Sequence, residues 1–484
     1  MGKTSGDGRI PLVSTYATWV AFGLSVAVVA ATVWFDLDFS VGPLFRVDGL
    51  TLVMWVAVTF FSGIVQSFAR RYMAANRELN RFFVGVTLFT ATVLTMPAAD
   101  NVALFLVAWT AMGLVMADLI GHVPGWEEAQ AASRLARRYF LAGSTLLAAG
   151  VGLLAVRTGA TTVTGILDGF GAVARPVALV AAGLLLLAAL VQSALLPFHR
   201  WLLSSMTAPT PSSALMHAGF VNAGGVLLTR FAPVFAPDPD LLLVVAVVGA
   251  VSAVLAQAMM LVQPTYKGRL GCSTVAQMGF MILQCGLGFF AAAVTHLIVH
   301  GFYKAYLFLS TGGQVTKTPP KTGAHGPSPT TLALALVAAI AGGAVFATLT
   351  GKGLDPAETG VFLTAVVTLS VFQAASELLR NDSLSAPGRF LGVTVATVAS
   401  LAVYALIYNA ISGLMHAVPA VHTPVAMTPV HWVLLATFVV GHVAVQLGWL
   451  QRRPRLYVAL LNATQPDART VATTHGEYGS RSEP

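Results

Sequence analysis

Long apolar runs recur along this chain, each close to the ~20 residues that a bilayer's hydrocarbon core requires. Short polar stretches separate them. Fourteen such segments fall at 12–35, 48–69, 82–97, 101–121, 138–156, 177–196, 212–231, 241–262, 270–287, 289–310, 331–350, 361–379, 390–414 and 430–450. In lipid the backbone must satisfy its own hydrogen bonds, so runs of this length predict helices. The expected fold is an all-α polytopic membrane protein with about 14 transmembrane helices. Residues 1–10 read as a tail before the bundle, 11–451 as the bundle and 452–484 as a polar, flexible tail. The proline-rich stretch 316–330 reads as a linker between two packed halves.

Composition supports the same class: 56% of residues are hydrophobic and 10% charged, against about 25% charged in soluble domains. Mean hydropathy is +0.78. The net charge of +8 matters through its placement, because lysine and arginine concentrate in cytoplasmic connections. Alternate connections do differ. One set holds Arg70, Arg71, Arg77 and Arg81, then Arg134, Arg137 and Arg138, then Lys267 and Arg269, Lys317 and Lys321, Arg380 and Arg389. The other holds Asp36, Asp38, Asp100, Asp168, Asp238, Asp240 and the 416–429 connection. With Lys3 and Arg9 before the first span and Arg452, Arg453 and Arg455 after the last, both termini are expected in the cytoplasm of a bacterial inner membrane. The first run exceeds the 7–15 apolar residues of a signal sequence, so it reads as a retained span. Nucleic-acid binding has no support. Cys272 and Cys285 fall on one predicted helix, roughly 20 Å apart at 1.5 Å per residue, which is too far to pair.

Breaks and ionisable groups inside apolar runs are costly in lipid unless they line a polar path. Between Gln192 and Arg230 the chain carries Pro197, Pro209 and Pro211, with Arg200 between spans and His217 inside the seventh. Five spans later, Gly342 and Gly343 lead into GKGLDP, where Lys352 accompanies a second Gly/Pro interruption. Paired broken helices in two halves point to a transport site near the midplane; the plainer reading of GKGLDP is an exit loop. His296, His300 and Lys304 are spaced at i, i+4 and i+8, so they share one helix face over about 12 Å. Histidine titrates near neutral pH and buried lysine can exchange a proton, which suits a relay. A metal site is disfavoured, because HxxxH here has no glutamate within it and no evident third ligand. Asp118, with His122, and Glu377, with Gln373 and Arg380 beside it, sit near cytoplasmic ends as possible entry acids or plain interface anchors. His442 stands alone in the last span and reads as structural.

PFHRWLL at Pro197–Leu203, APTP at Ala208–Pro211 and SALMHA at Ser213–Ala218 resemble the antiporter-like subunits of respiratory complex I and Mrp-type cation/proton antiporters. Lys267, Ser273-Thr274, Gln277-Met278-Gly279 and the His296-to-Lys304 block resemble that family's following stretches in order. The resemblance runs from about Asp48 to Leu379. It implies two inverted five-helix repeats with broken helices, and a polar axis on which His217, His296, His300, Lys304 and Lys352 transfer protons. Two departures matter: Thr110 follows Trp109 where the family carries glutamate, and Gln192 stands where it carries lysine. Gln192 is therefore expected to be a neutral, water-holding position, with conduction in the second half.

The wording of PFHRWLLSSMTAPTP, with MADLIGH upstream, is most similar to the DabB membrane subunits of inorganic-carbon accumulation complexes. That resemblance implies a proton- or sodium-conducting subunit that is not itself an enzyme and holds no cofactor or metal of its own. Its partner would be a large DabA-like protein with a zinc site, hydrating CO2 to bicarbonate and docking on the basic cytoplasmic face. Two other readings stand beside it: a respiratory or Mrp-type antiporter subunit, and a non-conducting membrane scaffold for a soluble enzyme.

Overall fold

The computed structural model describes residues 9–35, 39–311, 329–353, 355–379, 386–423 and 425–471. Lys3, Asp36, Asp38, most of the 316–330 linker with Lys317 and Lys321, Arg380 and the tail beyond 471 lie outside the described residues.

The chain folds as a helical bundle. Its helices are α1 (Arg9–Phe35), α2 (Gly49–Tyr72), α3 (Leu79–Ala98), α4 (Val102–Ile120), α5 (Glu127–Thr158), α6 (Val163–Gly169), α7 (Arg175–Gln192), α8 (Arg200–Ser204), α9 (Thr210–Ala218), α10 (Ala223–Arg230), α11 (Ala232–Phe235), α12 (Pro239–Val262), α13 (Tyr266–Gly286), α14 (Phe290–Leu309), α15 (Pro329–Thr350), α16 (Gly360–Leu379), α17 (Ala386–Leu414), α18 (Pro429–Gln446) and α19 (Pro454–Ala463). Among the described residues, eleven are long and apolar enough to cross a membrane. The count differs from fourteen at three expected spans. The 212–231 run is divided into α9, a 3-10 turn at Phe220–Asn222 and α10. α13 and α14 are 21 and 20 residues long, but their ionisable and polar residues dilute their apolar character. One small β element joins this otherwise helical fold: Phe39–Val41 pairs antiparallel with Phe45–Val47, turning at Gly42 with φ +53°.

Helix starts follow local chemistry. Asp48, Asn101, Thr162, Asp238 and Thr265 each accept a hydrogen bond from a backbone N–H of the helix they precede, satisfying donors that a helix start leaves open. Packing follows the rule for membranes, where small residues let backbones approach. α12 and α13 touch through Gly249, Gly279 and Gly286; a Cβ on Gly279 would lie 2.5 Å from the Ala253 nitrogen, and one on Gly286 2.2 Å from the Ala246 nitrogen. α14 is pressed onto α9 and α2 at Gly301, where a Cβ would lie 2.9 Å from the Ala218 carbonyl oxygen and 2.7 Å from Phe61. These contacts hold α13, α14 and α9 together as the enclosed centre of the bundle. α1 buries its polar side: Ser14 donates to Gln66 at 2.6 Å, Gln66 donates to Thr18 and Ser62, and Ser62 bonds Thr90 at 2.6 Å. Its apolar residues face outward, Val20 and Leu24 each 62% exposed, as lipid contact requires.

One open reading is decided here and one expectation is corrected. GKGLDP is a connection between two helices: α15 ends at Thr350, Gly351 turns with φ +65°, and the backbone pairs with 425–427 before α16 starts at Gly360. A positive φ suits glycine and stops the helix. The tail from residue 452 is not wholly flexible. α19 packs Leu460 against Leu203, Met259, Val262 and Cys272. Beyond it, the Asp467 N–H donates to Ser204 Oγ at 3.0 Å and His199 Nε2 lies 3.1 Å from the Ala463 carbonyl. Its 10-residue helix carries Leu456, Leu460 and Leu461 at one-face spacing, a signal easily lost beside Arg452, Arg453 and Arg455.

Candidate functional site: a buried ionisable ladder along α14

α14 carries three ionisable side chains on the face that turns inward. His296 and His300 stack with ring centroids 5.9 Å apart and planes 12° from parallel. Phe280 of α13 meets His296 edge-on. One turn on, Lys304 is fully buried and its ammonium donates to the Leu270 carbonyl at 3.0 Å. The same carbonyl accepts from the Thr274 hydroxyl at 2.9 Å, and Thr274 Oγ1 lies 3.0 Å from His217 Nδ1. His217, on the last turn of α9, stacks on Phe308 of α14 at 4.3 Å. The sequence-predicted pair His217 and Lys304 therefore meets through one threonine and one carbonyl.

Nitrogens of the ladder remain open. His217 Nε2, His296 Nε2 and both nitrogens of His300 have no hydrogen-bond partner among the described residues. Gln192 Nε2 and Asn222 Oδ1 are likewise open and buried. They flank the point where Ser193 donates to the Val221 carbonyl at 2.7 Å, in the 3-10 turn that divides α9 from α10. The interruption inside the bundle thus sits at Gly219–Asn222; Pro197 instead separates α7 from the short α8, and Pro209 and Pro211 lead into α9.

Lys352 lies at the opposite end of α14. Its ammonium sits 3.4 Å from the centroid of Tyr408, with Phe289 and Phe346 at 5.4 and 5.7 Å, and has no hydrogen-bond partner among the described residues. Aromatic faces attract a cation that has lost water. From Phe289 to Lys304 is fifteen residues, about 22 Å at helical rise, so the ionisable groups extend through most of a ~30 Å hydrocarbon core.

Other predicted residues stand outside this path. Asp118 forms an ion pair with Arg137, both half-exposed. Glu377 is exposed at the end of α16 and accepts from Gln373 at 2.5 Å, while Arg380 lies outside the described residues. Thr110 turns back to the Leu106 carbonyl at 2.8 Å. His442 packs edge-on against Phe372. Cys272 and Cys285 are both on α13, buried and free. Among the described residues no three His, Cys, Asp or Glu side chains gather as a metal site.

Sequence reasoning missed a half-buried ion pair. Arg230, ending α10, pairs with Asp48, and donates to Thr51 Oγ1 at 3.2 Å and to the Pro97 carbonyl. The signal was present, since Asp48 opens an apolar run and Arg230 closes one, yet nothing in the chain order links residues 182 positions apart. His422 and Ser412 were also missed, within or beside a connection that read as neutral.

The family model for the transmembrane region of NADH:quinone oxidoreductase and Mrp antiporters matches residues 99–324, and that for the N-terminus of complex I chain 5 matches 34–83. The probable inorganic carbon transporter subunit DabB of Hydrogenovibrio crunogenus is 30% identical over 440 residues, 88% of this chain and 82% of that protein. The chain belongs to the DabB family of antiporter-like membrane subunits. DabB1 of Halothiobacillus neapolitanus is 39% identical over 293 residues, 59% of this chain and 52% of that protein; the chain spans about half the length of several such relatives. NADH-quinone oxidoreductase subunit L of Escherichia coli is 34% identical over 282 residues, 57% of this chain and 46% of that protein. The Mrp complex from Dietzia sp. DQ12-45-1b shares the fold, with TM-score 0.57 at 23% identity over 94% of this chain and 50% of that one.

Proposed function

We propose that this chain conducts protons or sodium ions across a bacterial inner membrane and couples that movement to hydration of CO2 to bicarbonate by a zinc-containing DabA-like partner. One observation carries the conduction part: ionisable side chains follow α14 over most of the bilayer thickness, with His217, Lys304, His300 and Lys352 buried and His296 half-buried. A scaffold has no need of such a row, because buried ionisable groups cost free energy in lipid. His217, Lys304, His300, His296 and Lys352 act as transfer sites in that order. Gln192 holds water beside the α9–α10 interruption without carrying charge. Asp118 and Glu377, near the ends of α4 and α16, collect cations from solution.

The basic connections support a cytoplasmic position for those ends and for both termini. They also favour docking of an acidic partner face there. Catalysis resides in the partner.

The test has two arms: purification of the full chain from its native membrane with identification and zinc measurement of what accompanies it, and cation flux in membrane vesicles. A large zinc-bearing companion, together with a flux lost on changing Lys304, is the expected result. Iron-sulfur or quinone-binding companions would replace this coupling with a respiratory one, and absence of flux would leave only the scaffold.

A further inference from the structure

The end of α14 that bears Phe289 meets two other segments. Thr423 N–H donates to the Gly288 carbonyl at 3.1 Å, Phe289 pairs with His422, and the Thr359 hydroxyl donates to the Leu287 carbonyl at 2.8 Å. These bonds fix the 416–427 connection over the Lys352 cage. The cage itself is a dead end for a proton, because Tyr408, Phe289 and Phe346 offer ring faces that attract the ammonium but accept no proton from it. Lys352 is 4% exposed, so exchange with water needs an intermediary.

Resting on the reading that cations cross along α14, we propose that Ser412 and His422 form the gate at this end of the path, passing protons between Lys352 and the aqueous phase. Ser412 follows Tyr408 by one turn on the same face of α17. Ser412 Oγ lies 2.8 Å from His422 Nε2; Ser412 is half-buried and His422 is exposed. The rings of Tyr408 and His422 are 6.4 Å apart. The cage thus touches a chain of two hydroxyls and one imidazole that ends in solvent. In one transfer the Lys352 ammonium gives a proton to the Tyr408 hydroxyl oxygen across a single water and becomes the amine. Tyr408 passes its own proton to Ser412, and Ser412 passes its own to Nε2. His422 becomes imidazolium and releases the proton on Nδ1 to water, so charge moves outward by one and every hydroxyl is restored. The titratable groups that face this chain are Tyr404 beside Phe346, Tyr408 and Lys352, with exposed His416, Asp355 and Glu358 at its rim. Histidine is the group among these whose ordinary titration lies closest to neutrality.

The experiment uses the full chain in right-side-out and inverted vesicles from its native membrane, with proton flux read by an entrapped pH dye. His422→Ala is expected to slow flux at least tenfold, and millimolar imidazole on the His422 side alone is expected to restore it. Ser412→Ala is expected to slow flux less, with no response to imidazole. Wild-type flux in His422→Ala overturns the proposal. So does a loss that imidazole fails to restore from that side, or restores equally from both, in protein present at wild-type level. Lys304→Met is measured in parallel. If it conducts normally, the α14 reading falls, while side-specific imidazole rescue still decides the role of His422.

Discussion

Lys304→Met separates a conducting role from a structural one, because the two predict opposite changes. The ammonium is fully buried and makes one hydrogen bond, to the Leu270 carbonyl. Losing that charged hydrogen bond removes about 1.5–3 kcal/mol. Leu270 is not left unsatisfied, since Thr274 still donates to the same oxygen at 2.9 Å. Against this stands relief of the cost of burying an unpaired charge, on the order of several kcal/mol per ion. Methionine keeps the volume, so the cavity term of about 2–5 kcal/mol expected for alanine is avoided.

The variant should therefore be as stable as the parent, or more so. Function moves the other way. Without Lys304 the next ionisable group along α14 is His300, about 6 Å further in, and the link between His217 and the ladder is cut. Flux should fall on the order of 100-fold, the lower range of what a positioned proton-transfer group contributes. Dye-reported flux in vesicles gives one quantity, and thermal unfolding in detergent gives the other. Unchanged flux, or a melting point lowered as by a broken structural contact, would refute the reasoning.

Two further outcomes follow from contacts outside the ladder. Arg230→Ala leaves Asp48 half-buried without its partner and should cost about 3 kcal/mol or more; Asp48→Asn in the same chain should recover a good part, a coupling that a double-mutant cycle in unfolding measures directly. Asp467 accepts from Arg469 Nε at 2.9 Å and Nη2 at 3.1 Å, and this holds its carboxyl down at about 2. A lowered folded value means the stabilisation is present above the ordinary carboxylate range near 3.8 and is lost as pH falls through about 2. Hydrogen exchange of amides 454–471, corrected for intrinsic rates, should accelerate across that window and be fast throughout in Asp467→Asn. Equal exchange in both proteins would show that the pair plays no part in docking the segment.

The chemistry of the path is legible in the order of residues. Periodicity alone puts His296, His300 and Lys304 on one helix face, and the cost of burying them in lipid makes them functional candidates. GKGLDP left both readings open because glycine and proline interrupt a helix and end one in the same way; the end of α15 at Thr350 and the pairing of 357–359 with 425–427 distinguish the two. The tail misled because three arginines hide a one-face leucine pattern that matters only when α12 and α13 are there to receive it.

The order of apolar and polar residues by itself determined that this chain is a bundle of membrane helices, and which side chains would be expensive to bury. The tertiary structure decided which of these meet. His217 reaches Lys304 through Thr274 and the Leu270 carbonyl, Asp48 finds Arg230, and Lys352 lies beneath Tyr408 near His422. The physical reason is range: helical period and hydropathy act over a few residues, whereas these contacts join segments that only close packing at glycines brings within a hydrogen bond.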